Sequence, residues 1–347
     1  MSDDFLSQFE LQKGPAKKTE GSAPTAPPLA RAECPVIDKP GIYTISNELY
    51  HRDPCVVPSL SRGVINDLLN LTPAHARQNH PRLGKPDAEE TDAEETVEKF
   101  DVGSAAHSLF LEGLDIAEVI DPVDYPGAKG GIPKGWTTDS IRKARDEARL
   151  AGRIPFLPKQ YKKVQEMVKA AHVQLAASEL AIKDLHSQGD AEMSYFWQEE
   201  LIGGAVWCRV RPDWISHKNL AGDRKIIIGY KTTGISADPA RFKAGDHAKN
   251  IEWAFYRRGV KAIEGGKAPR YIFMVQETDP PYLCSFVSLD PQSQEMANQM
   301  TDYGLFMWQK CLTMNDWPGY PNRVCYVETP PWQVAQWEAK AAEIGNE

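Results

Sequence analysis

The stretch KIIIGYKTT, residues 225 to 233, does most to limit what this chain can become. Three consecutive isoleucines leave no polar face, so the segment reads as a buried strand that ends in a polar turn. Side chains alternate along a strand with period two, which puts Gly229 and Lys231 on the same face. A glycine there is unexpected, because it loosens a strand and leaves nothing to pack.

A buried strand needs covering layers, and the composition can supply them. Of 347 residues, 41% are hydrophobic and 25% charged, enough for one large domain or two modest ones. The six cysteines form no CxxC pair, so neither a zinc ribbon nor a disulfide framework is suggested, and reduced thiols are expected. The N-terminus lacks a basic region followed by an apolar run, and no stretch approaches the roughly 18 apolar residues of a membrane helix. The expectation is a soluble, cytoplasmic protein without membrane contact. Net charge is −8, but the tandem DAEET segment Asp87 to Lys99 holds seven acids and one lysine, leaving −2 for the rest. That run reads as a solvated loop, and overall charge does not exclude a DNA partner.

Residues 1–40 carry Pro15, Pro24, Pro27, Pro28, Pro35 and Pro40 without apolar periodicity, and read as a disordered tail. A domain is expected over 41–335, interrupted by an acidic loop at 86–99, with the end of a C-terminal helix or a tail at 336–347. SLSRGVINDLLNLTP reads as a helix capped by Ser61 and stopped at Thr72-Pro73. FDVGSAAHSLFLEG has helical spacing, so Gly103 and His107, four apart, share a face. Two helices rich in Lys and Arg follow. Then come AEMSYFWQEEL, GGAVWCRVRPDWI and KIIIGYKTT as strands, NIEWAFYRRGVKAIEGG as a helix, RYIFMVQE and LCSFVSLD as strands, and helices to the end. Helices, a central group of strands with one helix among them, and helices again indicate an α/β or α+β sheet in one domain.

If RVRPDW and IIIGYKTT pair as antiparallel neighbours across a loop at 216–224, Asp213 sits opposite Ile227 and faces the same way as Lys231. An acid, a second carboxylate nearby and a lysine can hold Mg²⁺ against a phosphodiester. The cation activates water, and the lysine steadies developing charge. His107 could add an imidazole from its helix face. Glu252 and Tyr256, again four apart, would point from a helix toward the same edge. Glu192 is read as pairing with a basic neighbour rather than binding metal.

VGSAAH, RPD, YKTT and ExxxY, in that order, resemble the PD-(D/E)XK nucleases of the exodeoxyribonuclease VIII (RecE-type) family, relatives of the RecB nuclease domain. PSLSRGVINDLLNLTPAH, AEMSYFW and FMVQETDPPYLCSFVSLD add to the likeness, which spans roughly 41 to 335. The resemblance implies an α/β restriction-endonuclease-like core, a central mixed sheet flanked by helices. It also implies a Mg²⁺-dependent exodeoxyribonuclease, with Mn²⁺ as a substitute, that degrades double-stranded DNA ends in the 5′ to 3′ sense. By the same resemblance, His107 and Asp213 are metal ligands, Lys231 is the catalytic lysine and Tyr256 lies beside the site. By that resemblance its partners would be double-stranded DNA ends, a single-strand annealing recombination protein and copies of itself in a ring-shaped trimer or tetramer, with no membrane, in a phage or prophage setting.

Two positions depart from that pattern. The family carries an aspartate where this chain has Gly229, and a glutamine where it has Glu252. The missing aspartate at Gly229 predicts impaired catalysis. The readings that stay open are that Glu252 supplies the lost carboxylate from its helix as a migrated ligand, that the chain is a natural or engineered inactive form, or that it has weak activity without compensation or the motif is wrongly assigned. The rival functions are a non-catalytic DNA-end binder or regulator on the same fold, and a protein-interaction module.

Overall fold

The computed structural model describes residues 36–84, 94–127, 130–220, 222–242 and 247–344, apart from the side chains of 94–100 and 344. The proposed tail up to residue 35 and the acidic segment at 85–93 lie outside the described residues. In chain order the elements are β1 (Gly41–Tyr43), α1 (Asn47–His51), α2 (Arg62–Asn70), α3 (Pro73–Asn79), α4 (Glu94–His107), β2 (Ala117–Val119), α5 (Asp139–Leu150), β3 (Ile154–Phe156), α6 (Pro158–Ala177), α7 (Leu185–Gln188), β4 (Gly189–Ala191), β5 (Ser194–Leu201), β6 (Gly204–Val210), β7 (Trp214–Ser216), β8 (Ile226–Thr233), α8 (His247–Glu264), β9 (Arg270–Glu277), β10 (Cys284–Val287), α9 (Pro291–Met314) and α10 (Pro331–Ile344).

The isoleucine run is the middle strand of a five-stranded sheet in the order β10-β9-β8-β7-β4. β8 runs parallel to β9, and the other neighbours are antiparallel, so the sheet is mixed. Both faces are covered. Ile226, Ile228 and Tyr230 pack with Ile272 and Met274 of β9 against Ala105 and Ala106 of α4 and Val164, Met167 and Ala171 of α6. Ile227 points the other way, with Tyr271 and Phe273, toward Ile65 of α2, Ile251 and Phe255 of α8 and Leu305 and Trp308 of α9. A strand covered on both sides has no polar face to offer, which is why the run is apolar without alternation. The fold is thus α/β, a mixed sheet between helical layers.

Several boundaries differ from those the sequence suggested. Ile37 is buried against Tyr50, Cys55, Phe196 and Trp207 and bridges to Cys55, so the body begins before residue 41. The acidic loop ends sooner than residue 99, because α4 already starts at Glu94. A division at 335/336 would cut through α10, which runs from Pro331 to Ile344. Ser61 does occupy the N-cap of α2, but its side chain makes no capping bond. Thr72, expected only as a stop, instead caps α3 by accepting from the N–H of His75. The expected single group of strands divides: β5 and β6 pair with β1 in a separate three-stranded antiparallel sheet. Among the described residues, no helix is long and apolar enough to cross a membrane, and Cys55, Cys208, Cys284, Cys311 and Cys325 are free thiols.

Candidate metal-dependent site

β7 and β8 pair Trp214 with Ile228 and Ile215 with Ile227. Continued by one residue, this register sets Asp213 opposite Gly229 rather than Ile227. The connecting loop is nine residues long as expected but runs from 217 to 225, one place later, which moves the pairing by two and leaves the parity unchanged. Asp213 therefore does face the side that Lys231 faces. Its Oδ2 accepts the N–H of Tyr230 at 2.8 Å and lies 3.2 Å from Lys231 Nζ.

His107 arrives from the opposite layer. A Cβ at position 103 would stand 3.0 Å from Thr232 Oγ1, so the glycine allows α4 to approach the end of β8 closely. One turn later, His107 Nε2 is 3.7 Å from Asp213 Oδ2 and 3.5 Å from Glu192 Oε1. Glu192 sits between β4 and β5 with φ of 56°, a left-handed conformation unusual for a residue with a side chain. Its N–H donates to the carbonyl of Asp213 at 3.2 Å, which ties this kink to the strand end. The other carboxylate oxygen accepts from Arg211 Nε, so Glu192 does pair with a basic neighbour as expected. It also joins the site: ligand atoms of His107, Glu192 and Asp213 all lie within 4.8 Å of one another, a grouping that can hold a metal ion. One imidazole nitrogen and two carboxylate oxygens suit Mg²⁺ or Mn²⁺.

The two acids are driven apart in proton affinity. Burial would raise the Asp213 carboxyl, but Lys231 and His107 outweigh it and hold the group well below the usual carboxylate range. For Glu192, burial and then the charge of Asp213 prevail over Arg211 and raise it. Burial would lower His107, but the bond to Asp213 and the charges of Asp213 and Glu192 together outweigh it and raise the imidazole. Lys231 loses by burial and gains more from Asp213 and Glu252, so its ammonium form is favoured. A pair of acids separated in this way is a common sign of chemistry at a site.

Glu252 enters from α8 on the far side of Lys231. Its Oε1 is 3.0 Å from Lys231 Nζ and accepts from Tyr271 Oη at 2.5 Å, while Oε2 lies 3.3 Å from Arg62 Nη1. It thus reaches the lysine but lies outside the His107–Glu192–Asp213 group. Tyr256 stands behind this pair, its ring 6.1 Å from that of Tyr271 in an edge-to-face contact. Arg62 and Tyr271 had no sequence signal that singled them out: one sits at the start of a helix and the other inside an ordinary apolar strand. Beside Arg62 a cleft of about 370 Å³ is lined also by His51, Ser61, Gly63 and Arg209.

No protein-family model matches the chain, and no curated protein matches it. Among solved structures, a candidate exonuclease from Eubacterium rectale is similar at 12% identity, covering 84% of this chain and 98% of its own, with a TM-score of 0.47. The protein called SSO0001 is similar at 11% identity, over 61% of this chain and 86% of its own, with a TM-score of 0.25. Likenesses this distant leave the functional reading to the geometry of the site.

Proposed function

We propose that this chain is a divalent-cation-dependent exodeoxyribonuclease that hydrolyses phosphodiester bonds at the ends of double-stranded DNA and leaves single strands for recombination. The carrying observation is the convergence of His107, Glu192 and Asp213 within 4.8 Å, with the Lys231 ammonium 3.2 Å from the same Asp213 oxygen. The three side chains would hold the cation, Mg²⁺ or in its place Mn²⁺. When bound, it supplies a water of lowered pKa and positive charge beside the phosphoryl oxygens.

The chain's own residues set the rest. Asp213 Oδ2 accepts from the Tyr230 N–H at 2.8 Å and from Lys231 Nζ at 3.2 Å, which fixes the carboxylate beside His107. Lys231 brings a permanent positive charge to the place where a phosphoryl oxygen gains negative charge. Arg62 and the uncapped N-terminus of α2, in the adjoining cleft, form a setting in which phosphate is welcome. A ring-shaped homo-oligomer and an annealing protein that receives the single strand belong to the same proposal.

The test is release of acid-soluble nucleotides from linear duplex DNA with Mg²⁺ or Mn²⁺, comparing the chain with Asp213→Asn and Lys231→Ala. Cleavage is expected to require the cation and both side chains. Cleavage that survives Asp213→Asn would overturn the assignment, and salt-sensitive binding of duplex ends without any cleavage would favour the DNA-end binder instead.

A further inference from the structure

Gly229 and Glu252 belong to one arrangement. A Cβ built on Gly229 would lie 2.3 Å from Tyr271 Oη and 3.1 Å from Glu252 Oε1. The room that any side chain at 229 would take is filled by the hydrogen-bonded pair from β9 and α8. Glu252 is only 3% exposed, yet it is not a packing residue: both oxygens face donors, Tyr271 Oη and Lys231 Nζ at Oε1 and Arg62 Nη1 at Oε2. A buried carboxylate is costly unless it is paired in this way, and this one is paired toward the site.

We infer that Glu252 is a positioning residue for Lys231, reaching it from α8 through the gap that Gly229 keeps open. This rests on the function proposed above. Lys231 Nζ is held between Asp213 at 3.2 Å and Glu252 at 3.0 Å, so its location is fixed from two elements rather than by its own flexible stem. Because the Glu252 oxygens already have donors, its task is to hold the ammonium and not to ligate the cation. Tyr271 in turn holds Glu252, and the absence of a side chain at 229 is what the arrangement requires.

The measurements use the full chain: duplex cleavage kinetics, titration with Mn²⁺ alone, and acetylation of Lys231 by a water-soluble acetyl ester read by peptide mass spectrometry. Glu252→Gln is expected to lower kcat about 100-fold while KM and the Mn²⁺ dissociation constant stay within about threefold, as for a misplaced catalytic group. Lys231 acetylation should rise severalfold as the ammonium loses one of its two acids. Gly229→Asp alone should slow cleavage, since the new side chain meets Tyr271. The exchange Gly229→Asp with Glu252→Gln and Tyr271→Phe should recover at least about tenfold over Glu252→Gln, because the acid returns beside Lys231 from β8.

Unchanged kcat and unchanged Lys231 acetylation in Glu252→Gln would overturn the inference. So would a loss of Mn²⁺ affinity equal to the loss of kcat, which would make Glu252 a ligand, and so would faster cleavage by Gly229→Asp alone. Asp213→Asn separates the two levels: if it leaves cleavage and Mn²⁺ binding intact, the proposed function fails, whereas the acetylation result judges Glu252 even in a chain that does not cut DNA. Should Glu252→Gln fail to fold, Tyr271→Phe keeps the carboxylate and is expected to raise Lys231 acetylation to a lesser extent; no rise there would overturn the inference.

Discussion

Two aspartates in this molecule have the same kinds of neighbour and opposite situations. Asp53 accepts from Ser59 N at 2.8 Å and Ser59 Oγ at 2.6 Å, lies 3.0 Å from Arg209 Nη1 and 3.4 Å from His80 Nε2, and its side chain is 0% exposed. Asp213 likewise has a cation, Lys231, and a histidine, His107, but their side chains are 36% and 28% exposed. Both carboxyls are held low against burial, Asp53 chiefly by Arg209 and Asp213 chiefly by Lys231. What differs is access and a second acid. Asp53 is closed in by donors, whereas Asp213 has Glu192 beside it, like charges brought together where water can enter. Composition alone therefore does not tell the two clusters apart; an acid pair left partly open does.

The largest effect expected from this contrast is on stability. Asp53→Ala should cost about 3–5 kcal/mol in urea unfolding, since it leaves Arg209 buried without its carboxylate, and cleavage per folded molecule should persist. Asp213→Asn should do the reverse. Cleavage should fall by about 100- to 1,000-fold, the range seen when one preorganised electrostatic group is lost, with a far smaller change in the unfolding midpoint. If both substitutions shift the midpoint equally, the division into a structural and a chemical cluster fails. Glu192→Gln comes next: Mn²⁺ affinity should drop about 10- to 100-fold, measured by titration. Undiminished affinity would show that Glu192 serves Arg211 alone.

How far the sequence revealed this contrast depends on how local each signal is. The two-sided burial of Ile226 to Tyr230 and the shared face of Gly229 and Lys231 follow from strand periodicity, and both are seen. The spacing of Gly103 and His107 was equally legible, because one helical turn separates the close approach from the imidazole. Register was not, since a loop of given length can slide by one residue at both ends and shift every partner by two. The break in AEMSYFW at Glu192 was hidden too. It needs a left-handed residue where neither glycine nor asparagine announces one. Asp53 is another residue with positive φ, at 58°, and nothing in its local pattern foretold a cluster closed by Arg209, far along the chain. Pairings such as Tyr271 with Glu252 and Arg62 with Glu252 depend on three elements meeting, and no single stretch records that.

The smallest expected effect is a pH dependence. Asp53 has its folded value below the ordinary 3.8, so its stabilising contribution is present in full above that value and is lost as pH falls through the depressed one. The stability gap between the chain and Asp53→Asn should therefore be level from pH 7 down to about pH 5 and narrow below about pH 4. Urea midpoints at several pH values test this. A gap that instead widens on acidification would mean that protonated Asp53 is the form the fold prefers, and the closed cluster would then not be held together by charge.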